Sequence, residues 1–328
     1  MTSLIDGFGR PITYLRLSVT DRCDFRCVYC MAEEMKFLPR QQILSIEEMV
    51  IIAQNFVELG IQRIRITGGE PLIRRGIEHL FSALGEMPNI EEITLTTNGS
   101  HLHQHIDHLL AAGVKRINIS LDSLQAQRFT SLTRTGDLST VLQNIDLALA
   151  AGLHIKLNSV VLKHSNSDEV NDLVEFALSK AIDISFIEEM PLGQITDRQR
   201  ERDFISSEEL RNQITQDFTL SPSTETTGGP SRYWKTDNSE SLIGFISPHS
   251  ENFCASCNRI RLTAEGKLLL CLGNEDSVDL KHLIRHYPND NQRIKRAIQE
   301  GLTKKPEKHH FGVDGEPEIV RFMNATGG

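Results

Sequence analysis

The stretch Cys-Asp-Phe-Arg-Cys-Val-Tyr-Cys at residues 23–30 places three cysteines within eight positions, separated by three residues and then by two. It follows an apolar, β-branched run from Tyr14 to Thr20, which predicts a strand. Three thiolates at this spacing suit an iron–sulfur cluster that leaves one iron open, whereas a structural zinc site usually has four protein ligands. No fourth ligand is obvious nearby, because the nearest histidine in the sequence is His79.

The pattern begun by this first strand continues over the first 190 residues. Helix-patterned segments separate the strands. One opens with the capping box Ser45-Ile-Glu-Glu48, and another is expected to open in the same way at Asn166 and Glu169. Six βα units around a parallel sheet are fewer than the eight of a closed barrel, so we expect an α/β fold with a partial (βα)6 TIM-type barrel. The five further predicted strands are Arg63 to Thr67, Glu92 to Thr97, Arg116 to Leu121, Ile155 to Leu162 and Ile182 to Met190.

The rhythm of strands and helices changes after about residue 195. We therefore assign residues 1–195 to the barrel and residues 196–328 to a C-terminal extension. Within this extension, Ser221 to Pro230 (SPSTETTGGP) is rich in Ser, Thr, Gly and Pro, and we expect it to be a loop.

A second cysteine trio lies in the C-terminal extension and consists of Cys254, Cys257 and Cys271. On spacing alone it could bind zinc, with His249 or His282 as a fourth ligand, or hold a second iron–sulfur cluster. Soft thiolate ligands suit either metal centre.

Composition excludes several classes of function. The chain has 328 residues, a formal net charge of −9 and an ordinary apolar fraction of 39%. The negative charge argues against wholesale binding of nucleic acid. No apolar run is long enough to span a bilayer, and the N-terminus lacks the pattern of a signal peptide. We therefore expect a cytoplasmic protein, in which clustered thiols more often bind metal than form disulfides.

The first trio resembles the signature of the radical S-adenosylmethionine (SAM) superfamily. With the second trio and several further motifs, nearly the whole chain resembles the GTP 3′,8-cyclase family of molybdenum cofactor biosynthesis. The motifs that carry this resemblance are YLRLSVTD at 14–21, RITGGEP at 65–71, TTNG at 96–99, NISLDS at 118–123, FIEEM at 186–190, CNRIRL at 257–262 and the terminal Gly-Gly.

The resemblance implies two [4Fe–4S] clusters, one on each trio. In the family, SAM binds the first cluster and is cleaved to a 5′-deoxyadenosyl radical, which removes hydrogen from the GTP ribose. The expected product is (8S)-3′,8-cyclo-7,8-dihydroguanosine 5′-triphosphate. The resemblance also implies an electron donor and a downstream cyclic pyranopterin monophosphate synthase as partners, and a monomer or homodimer.

The resemblance also points to particular site residues. Those expected to contact SAM are Tyr29, Gly69, Ser120 and Met190, and those expected to contact GTP are Arg16, Arg65, Thr96, Lys156, Arg259 and Arg261. Arg259 and Arg261 alternate on a predicted strand, so both should point to one face. Arg16 and Arg65 stand within apolar strands, where an unpaired charge is costly, which favours a bound anion or an acidic partner. The tail Gly327-Gly328 is expected to reach into the active site.

Two other readings compete. The chain could be a radical SAM enzyme with an auxiliary cluster that modifies a peptide or protein, but such an enzyme has no need of arginines for a triphosphate. It could also be a non-catalytic iron–sulfur sensor or a zinc-stabilised binding protein, which metal analysis would distinguish. The histidines of residues 101–108 are expected to form an exposed, polar helix face rather than a zinc site.

Overall fold

The computed structural model of the protein describes residues 4–193, 200–237, 239–309, 311 and 319–327. In these ranges twelve strands form one sheet. They are β1 Tyr14–Ser18, β2 Arg63–Thr67, β3 Glu92–Thr97, β4 Arg116–Ser120, β5 His154–Val161, β6 Asp183–Glu188, β7 Ser221–Ser223, β8 Arg232–Lys235, β9 Leu242–Ile246, β10 Arg259–Leu262, β11 Lys267–Leu269 and β12 Ser277–Asp279.

Most of the helices cover the outside of the sheet, but the last one carries Met323, which lines the interior. The helices are α1 Ile46–Glu58, α2 Ile77–Gly85, α3 Ile106–Ala111, α4 Ala126–Thr133, α5 Leu138–Ala150, α6 Val170–Ser179, α7 Arg200–Asp203, α8 Ser207–Ile214, α9 Leu280–His286, α10 Asn291–Leu302 and α11 Met323–Thr326. No helix among the described residues combines the length and the apolar character that crossing a bilayer requires.

The sheet order confirms the partial barrel and adds to it. Strands β1 to β6 lie side by side in chain order, and all are parallel. The C-terminal extension then continues both edges of this barrel, because β10 pairs in parallel with β1 and β9 pairs in parallel with β6. Antiparallel strands complete the two ends, β11 and β12 on one side and β8 and β7 on the other.

Alternation along each strand separates apolar from polar side chains. On β2, Ile64 and Ile66 join the buried core together with Phe56 and other apolar side chains of α1. Arg65 stands between these isoleucines in the chain and lines an interior cavity instead. The barrel interior is therefore polar in places where a simple barrel core would be apolar.

The predicted start of α1 is confirmed. The Ser45 hydroxyl accepts from the Glu48 amide at 3.2 Å, and the Glu48 carboxylate accepts from the Ser45 amide at 2.7 Å, so two amides at the helix start are satisfied. The helix ends just before Gly60, which has a φ of +106°.

Two local expectations were wrong. Asn166 and Glu169 do not form a capping box, because the Asn166 side chain accepts from the Leu162 amide and the Glu169 carboxylate binds Ser123. A short 3-10 turn, Ser167–Glu169, precedes α6 instead. The stretch 221–230 is not loop throughout, since β7 occupies its first three residues. The domain boundary expected at 195 lies outside the described residues.

Candidate active site

Two adjoining cavities, each of about 160 Å³, lie inside the barrel at the C-terminal ends of its strands. The first cavity is lined by the first cysteine trio, and the second cavity by the second trio. Both are lined by Thr96, Asn158, Ile187, Met190 and Met323. A ligand in one cavity would therefore lie next to a ligand in the other.

The three cysteines of the first trio are free thiols on the loop that follows β1. Burial raises the pKa of all three, to about 12 at Cys30, and each trio member would feel the negative charge of another if ionised. Thiolates packed this closely in a buried site need a compensating positive charge, which an iron–sulfur cluster supplies. The trio therefore fits such a cluster.

Gly69 lies where two backbone segments meet beside the first trio. Its amide donates to the Thr20 carbonyl at 2.8 Å, and the next amide, of Glu70, donates to the Arg22 carbonyl at 2.8 Å. A Cβ at position 69 would fall far inside van der Waals contact with that Arg22 carbonyl. The buried Glu70 carboxylate accepts from the Asn98 amide at 2.7 Å, and burial raises its pKa to about 8. Glycine is thus required at 69 by close approach of backbones.

All four residues expected to contact SAM line the first cavity. The Tyr29 hydroxyl donates to the Asp122 carboxylate at 2.6 Å, and Asp122 also accepts from the Val160 amide at 2.9 Å. Burial raises the pKa of Asp122 to about 6. Thr67 and Asn324 also line this cavity. The Thr67 hydroxyl and the Asn324 side-chain oxygen are buried without a hydrogen-bond partner among the described residues. A ligand with an ammonium group would satisfy such oxygens.

The second cavity concentrates positive charge. In the sheet register, Arg16 stands directly opposite both Arg65 on β2 and Arg261 on β10. Like charges directly opposite each other destabilise a sheet. Burial and then Arg261 lower the pKa of Arg16 well below its usual range, while burial and then Arg259 lower the pKa of Arg261 to about 10. No Asp or Glu is found among the described residues that line this cavity, so its charges call for a bound anion.

All six residues expected to contact GTP line the second cavity. Arg65 donates to the Tyr14 hydroxyl at 2.6 Å and to the Thr96 hydroxyl at 3.2 Å, which fixes the direction of its guanidinium. The Lys156 ammonium donates to the Tyr233 hydroxyl at 2.6 Å. Neutral hydroxyl partners orient these cations without cancelling their charge.

Sequence reasoning missed two further cations of the second cavity. Arg116 lines it while pairing with Glu92 at 2.8 Å, and the buried Lys305 ammonium donates to the carbonyls of Arg259 and Leu270. The position of Arg116 in an apolar strand is the same signal that marked Arg16 and Arg65. Lys305 carries no such signal, because it lies in a charged segment.

The second trio lies entirely in the second cavity. Burial raises the pKa of Cys254, whereas the cations Arg259 and Lys305 outweigh burial and lower the pKa of Cys257. The two histidines considered as zinc ligands, His249 and His282, line neither cavity. Among the described residues no group of three or more His, Cys, Asp or Glu is placed to hold a single metal ion. Three thiols on the wall of one cavity fit a four-iron cluster that leaves one iron open to a ligand.

The C-terminal tail enters the site. The Asn324 side-chain amide donates to the Asp21 carbonyl at 2.8 Å, and Arg261 donates to the Gly327 carbonyl at 2.5 Å. Gly327 has a φ of +77°, and a Cβ there would collide with the Thr67 hydroxyl. The described part of the tail therefore contacts the linings of both cavities, and only glycine fits at position 327. Gly328 lies outside the described residues.

The histidine segment does not form one helix face. Leu102–Gln104 is a 3-10 turn, and α3 begins only at Ile106. His101 instead places its Nε2 3.3 Å from a carboxylate oxygen of Asp24, on the loop of the first trio. The single exposed helix face expected for the histidines of residues 101–108 was therefore wrong.

Comparison with known proteins identifies the family. The model of the radical SAM superfamily matches residues 17–177, and that of Molybdenum Cofactor Synthesis C matches residues 182–311. The GTP 3′,8-cyclase of Pseudomonas entomophila is 57% identical over 328 residues, which cover 99% of this chain and 98% of that protein. This chain belongs to the GTP 3′,8-cyclase family. The GTP 3′,8-cyclase of Saccharophagus degradans is also 57% identical, over 100% of this chain and 99% of that protein.

Solved structures confirm the fold of this cyclase-family member. SuiB of Streptococcus suis bound to S-adenosylmethionine superposes with a TM-score of 0.63 at 17% identity, covering 96% of this chain and 77% of that chain. At this identity the likeness concerns the fold alone. The expected cofactors, SAM and two [4Fe–4S] clusters, are confirmed at the level of the GTP 3′,8-cyclase family. The readings as a peptide-modifying enzyme and as a non-catalytic sensor are set aside.

Proposed function

We propose that this chain is a radical SAM lyase that cyclises GTP to (8S)-3′,8-cyclo-7,8-dihydroguanosine 5′-triphosphate, an early step of molybdenum cofactor biosynthesis. The observation that carries the proposal is the second cavity, where several buried cations and a cysteine trio meet without a carboxylate in the described lining. A nucleoside triphosphate is an anion of matching charge. The first cavity adjoins it and suits SAM.

On the SAM side, Cys23, Cys27 and Cys30 hold the first [4Fe–4S] cluster. When bound, this cluster and SAM supply the 5′-deoxyadenosyl radical. The backbone at Gly69 receives the SAM amino group, and Ser120 and Met190 contact the rest of the molecule. The ring of Tyr29 is held in place by its hydrogen bond to Asp122, so it forms a fixed wall of the first cavity.

On the GTP side, Cys254, Cys257 and Cys271 hold the second cluster. The triphosphate is bound by Arg16, Arg65, Lys156, Arg259 and Arg261, with Thr96 beside them. Arg16, Arg65 and Arg261 form a row across three neighbouring strands, which suits a chain of phosphates better than a single one. Each charge-assisted contact in such a buried row contributes about 1.5–3 kcal/mol to binding.

GTP binding is expected to take up a proton at alkaline pH. Burial, and then the charge of Arg65, lower the pKa of Lys156 to about 7, so its amine is largely neutral in the free protein above that pH. A bound triphosphate favours the charged ammonium and raises this pKa, so affinity should weaken as pH rises above 7. Calorimetric titration of iron-reconstituted protein at pH 8, in buffers of different ionisation enthalpy, should show uptake of about one proton.

Lys156→Met provides the control for this titration. The variant should bind GTP more weakly and lose the proton uptake at pH 8. Equal proton uptake by the two proteins would contradict the assignment of Lys156.

Three further aspects remain predictions. The reaction requires an electron donor, and a downstream cyclic pyranopterin monophosphate synthase consumes the product. We expect the chain to act in the cytoplasm as a monomer or homodimer. We also retain residues 1–195 as the barrel and residues 196–328 as the extension with the second cluster.

Anaerobic turnover with SAM, dithionite and GTP tests the proposed function. Reconstituted protein should bind about eight irons per chain. The expected result is formation of 5′-deoxyadenosine together with a cyclised GTP product. Formation of 5′-deoxyadenosine with GTP unchanged would refute the assignment of GTP as the substrate. Absence of both products from fully loaded protein would refute the assignment of the chain as a radical SAM enzyme.

A further inference from the structure

A third cavity, an open cleft of about 1320 Å³, lies outside the barrel, behind the loop of the first trio. Its walls include Thr20 and Arg22 from that loop, the 3-10 turn that starts at Arg40, the start of α1, and the segment after Pro71–Ile73. We call the group formed by Arg22, Arg40, Arg74 and Arg75 the arginine cleft. None of these residues belongs to the SAM or GTP site described above.

The arginine cleft is positive on a negative protein. Five arginines line the third cavity against three glutamates, whereas the whole chain carries a net charge of −9. The fifth, Arg285, is neutralised by Glu48 at 2.7 Å. The four arginines of the cleft make no ion pair among the described residues, and Arg22, Arg40 and Arg75 are exposed. Burial and then Arg40 lower the pKa of Arg74, while the carboxylates of Asp21 and Glu47 act in the opposite direction.

The arginine cleft and the first cavity lie on opposite sides of one stretch of backbone. Arg22 lines the cleft, while the next residue, Cys23, lines the first cavity. The carbonyls of Thr20 and Arg22 accept hydrogen bonds from the amides of Gly69 and Glu70, and these bonds hold the backbone in place. The loop of the first trio is therefore a wall shared by the cleft and the first cavity.

We propose that the arginine cleft docks an acidic electron-carrier protein that reduces the first cluster. The inference rests on the proposed function, since the first cluster must be reduced before it can cleave SAM. One electron passes from the reduced carrier to the cluster, the carrier is oxidised by one electron, and no bond or proton is exchanged. The cleft is about eight times larger than either inner cavity and is open, which suits protein side chains better than a small anion.

Charge also explains how such a partner would find this face. The remainder of a protein with net charge −9 repels an acidic partner, so a local positive surface orients the encounter. Redox complexes of this kind are small and transient, and their surface charges act mainly on the association rate and its salt dependence. Half-buried Arg74, which donates to the Leu44 carbonyl at 2.8 Å, anchors the cleft wall, so it is unsuitable for substitution.

Binding is tested with flavodoxin, a small acidic flavoprotein, and in parallel with a bacterial ferredoxin. Surface plasmon resonance with the reconstituted chain should give binding at low salt that weakens about tenfold when the ionic strength is raised above 0.1 M. The double variant Arg40→Glu/Arg75→Glu should bind at least about tenfold more weakly than the unmodified chain. The control is Arg296→Glu, which reverses one exposed charge on α10 and should leave binding unchanged.

Turnover distinguishes failure of this inference from failure of the proposed function. With dithionite, the double variant and the unmodified chain should form product at equal rates. With the reduced carrier, the double variant should be slower by about tenfold at low salt. Equal binding and equal carrier-driven rates in the two proteins, or binding of neither carrier, would overturn the docking site while dithionite turnover still supports the cyclase. A defect of the variant with dithionite as well would also overturn it, since the cleft would then serve the barrel itself.

Discussion

Cys27→Ser and Cys271→Ser are expected to divide the reaction into its two halves. Cys27→Ser should lower bound iron from about eight to about four per chain and abolish 5′-deoxyadenosine formation, because Cys27 belongs to the trio in the first cavity, the proposed SAM site. Cys271→Ser should lose the same amount of iron yet still cleave SAM, because its trio lies in the other cavity. Only the cyclised GTP product should disappear from the second variant. Iron analysis and chromatography of 5′-deoxyadenosine and of the cyclised GTP product measure these outcomes.

The two variants serve as controls for each other. Serine is close to cysteine in size but is a poor ligand for iron, so each substitution removes one cluster with little change in packing. After removal of the remaining iron, the near-ultraviolet circular dichroism of both should match that of the iron-free parent. If Cys271→Ser retained cyclisation, or if Cys27→Ser still cleaved SAM, the assignment of the clusters to the two cavities would be wrong.

Gly327→Ala is expected to reduce the rate of GTP cyclisation by about a hundredfold or more. This corresponds to an activation free energy higher by roughly 3 kcal/mol, because the substrate is no longer held in position. The added Cβ would collide with the Thr67 hydroxyl, and the φ of +77° also disfavours alanine. The tail would have to leave its place, which removes the contact between Arg261 and the Gly327 carbonyl. Iron content and the unfolding temperature should stay close to those of the unmodified chain. Deleting Gly327 and Gly328 together should have a similar effect.

Gly113→Ala is the matched control. Gly113 has a φ of +78°, almost the same as that of Gly327, but nothing lies within 4 Å of the Cβ that alanine would add. This variant should lose about 1 kcal/mol of stability and keep its activity. Equal losses of activity in both variants would show that backbone strain, rather than the place of the tail, explains the effect. Unchanged cyclisation after deletion of both tail glycines would remove any role of the tail.

The barrel strands were predictable because each is an apolar, β-branched run, and every observed bound lies within two residues of the expected one. The extension was less predictable. That β9 and β10 attach to opposite edges of the barrel is a matter of pairing between distant segments, and local sequence patterns do not encode such pairing. Asn166 illustrates a related failure, since its side chain binds the Leu162 amide although its spacing to Glu169 is that of a capping box.

Much of the candidate site was predictable for a different reason. Charged side chains within apolar strands, such as Arg16 and Arg65, are costly unless a ligand or an acidic partner compensates them, so they supported the site residues that the family resemblance implied. Asn324 and Lys305 do not lie within apolar strands, so their sequence context gives no such signal. They reach the cavities only because the tail and the segment after α10 fold back onto the barrel, and polar residues near a chain end ordinarily remain in solvent.

The outermost strands have a consequence for how the protein behaves at high concentration. A barrel that does not close leaves sheet edges to which other chains could add strands. Here β10 and β9 cover the backbones of β1 and β6, so in the described part of the chain the exposed edges are β12 and β7, each of three residues. Pro222 in β7 has no amide hydrogen to offer. The same extension that completes the second cavity thus also protects the sheet against edge-to-edge aggregation.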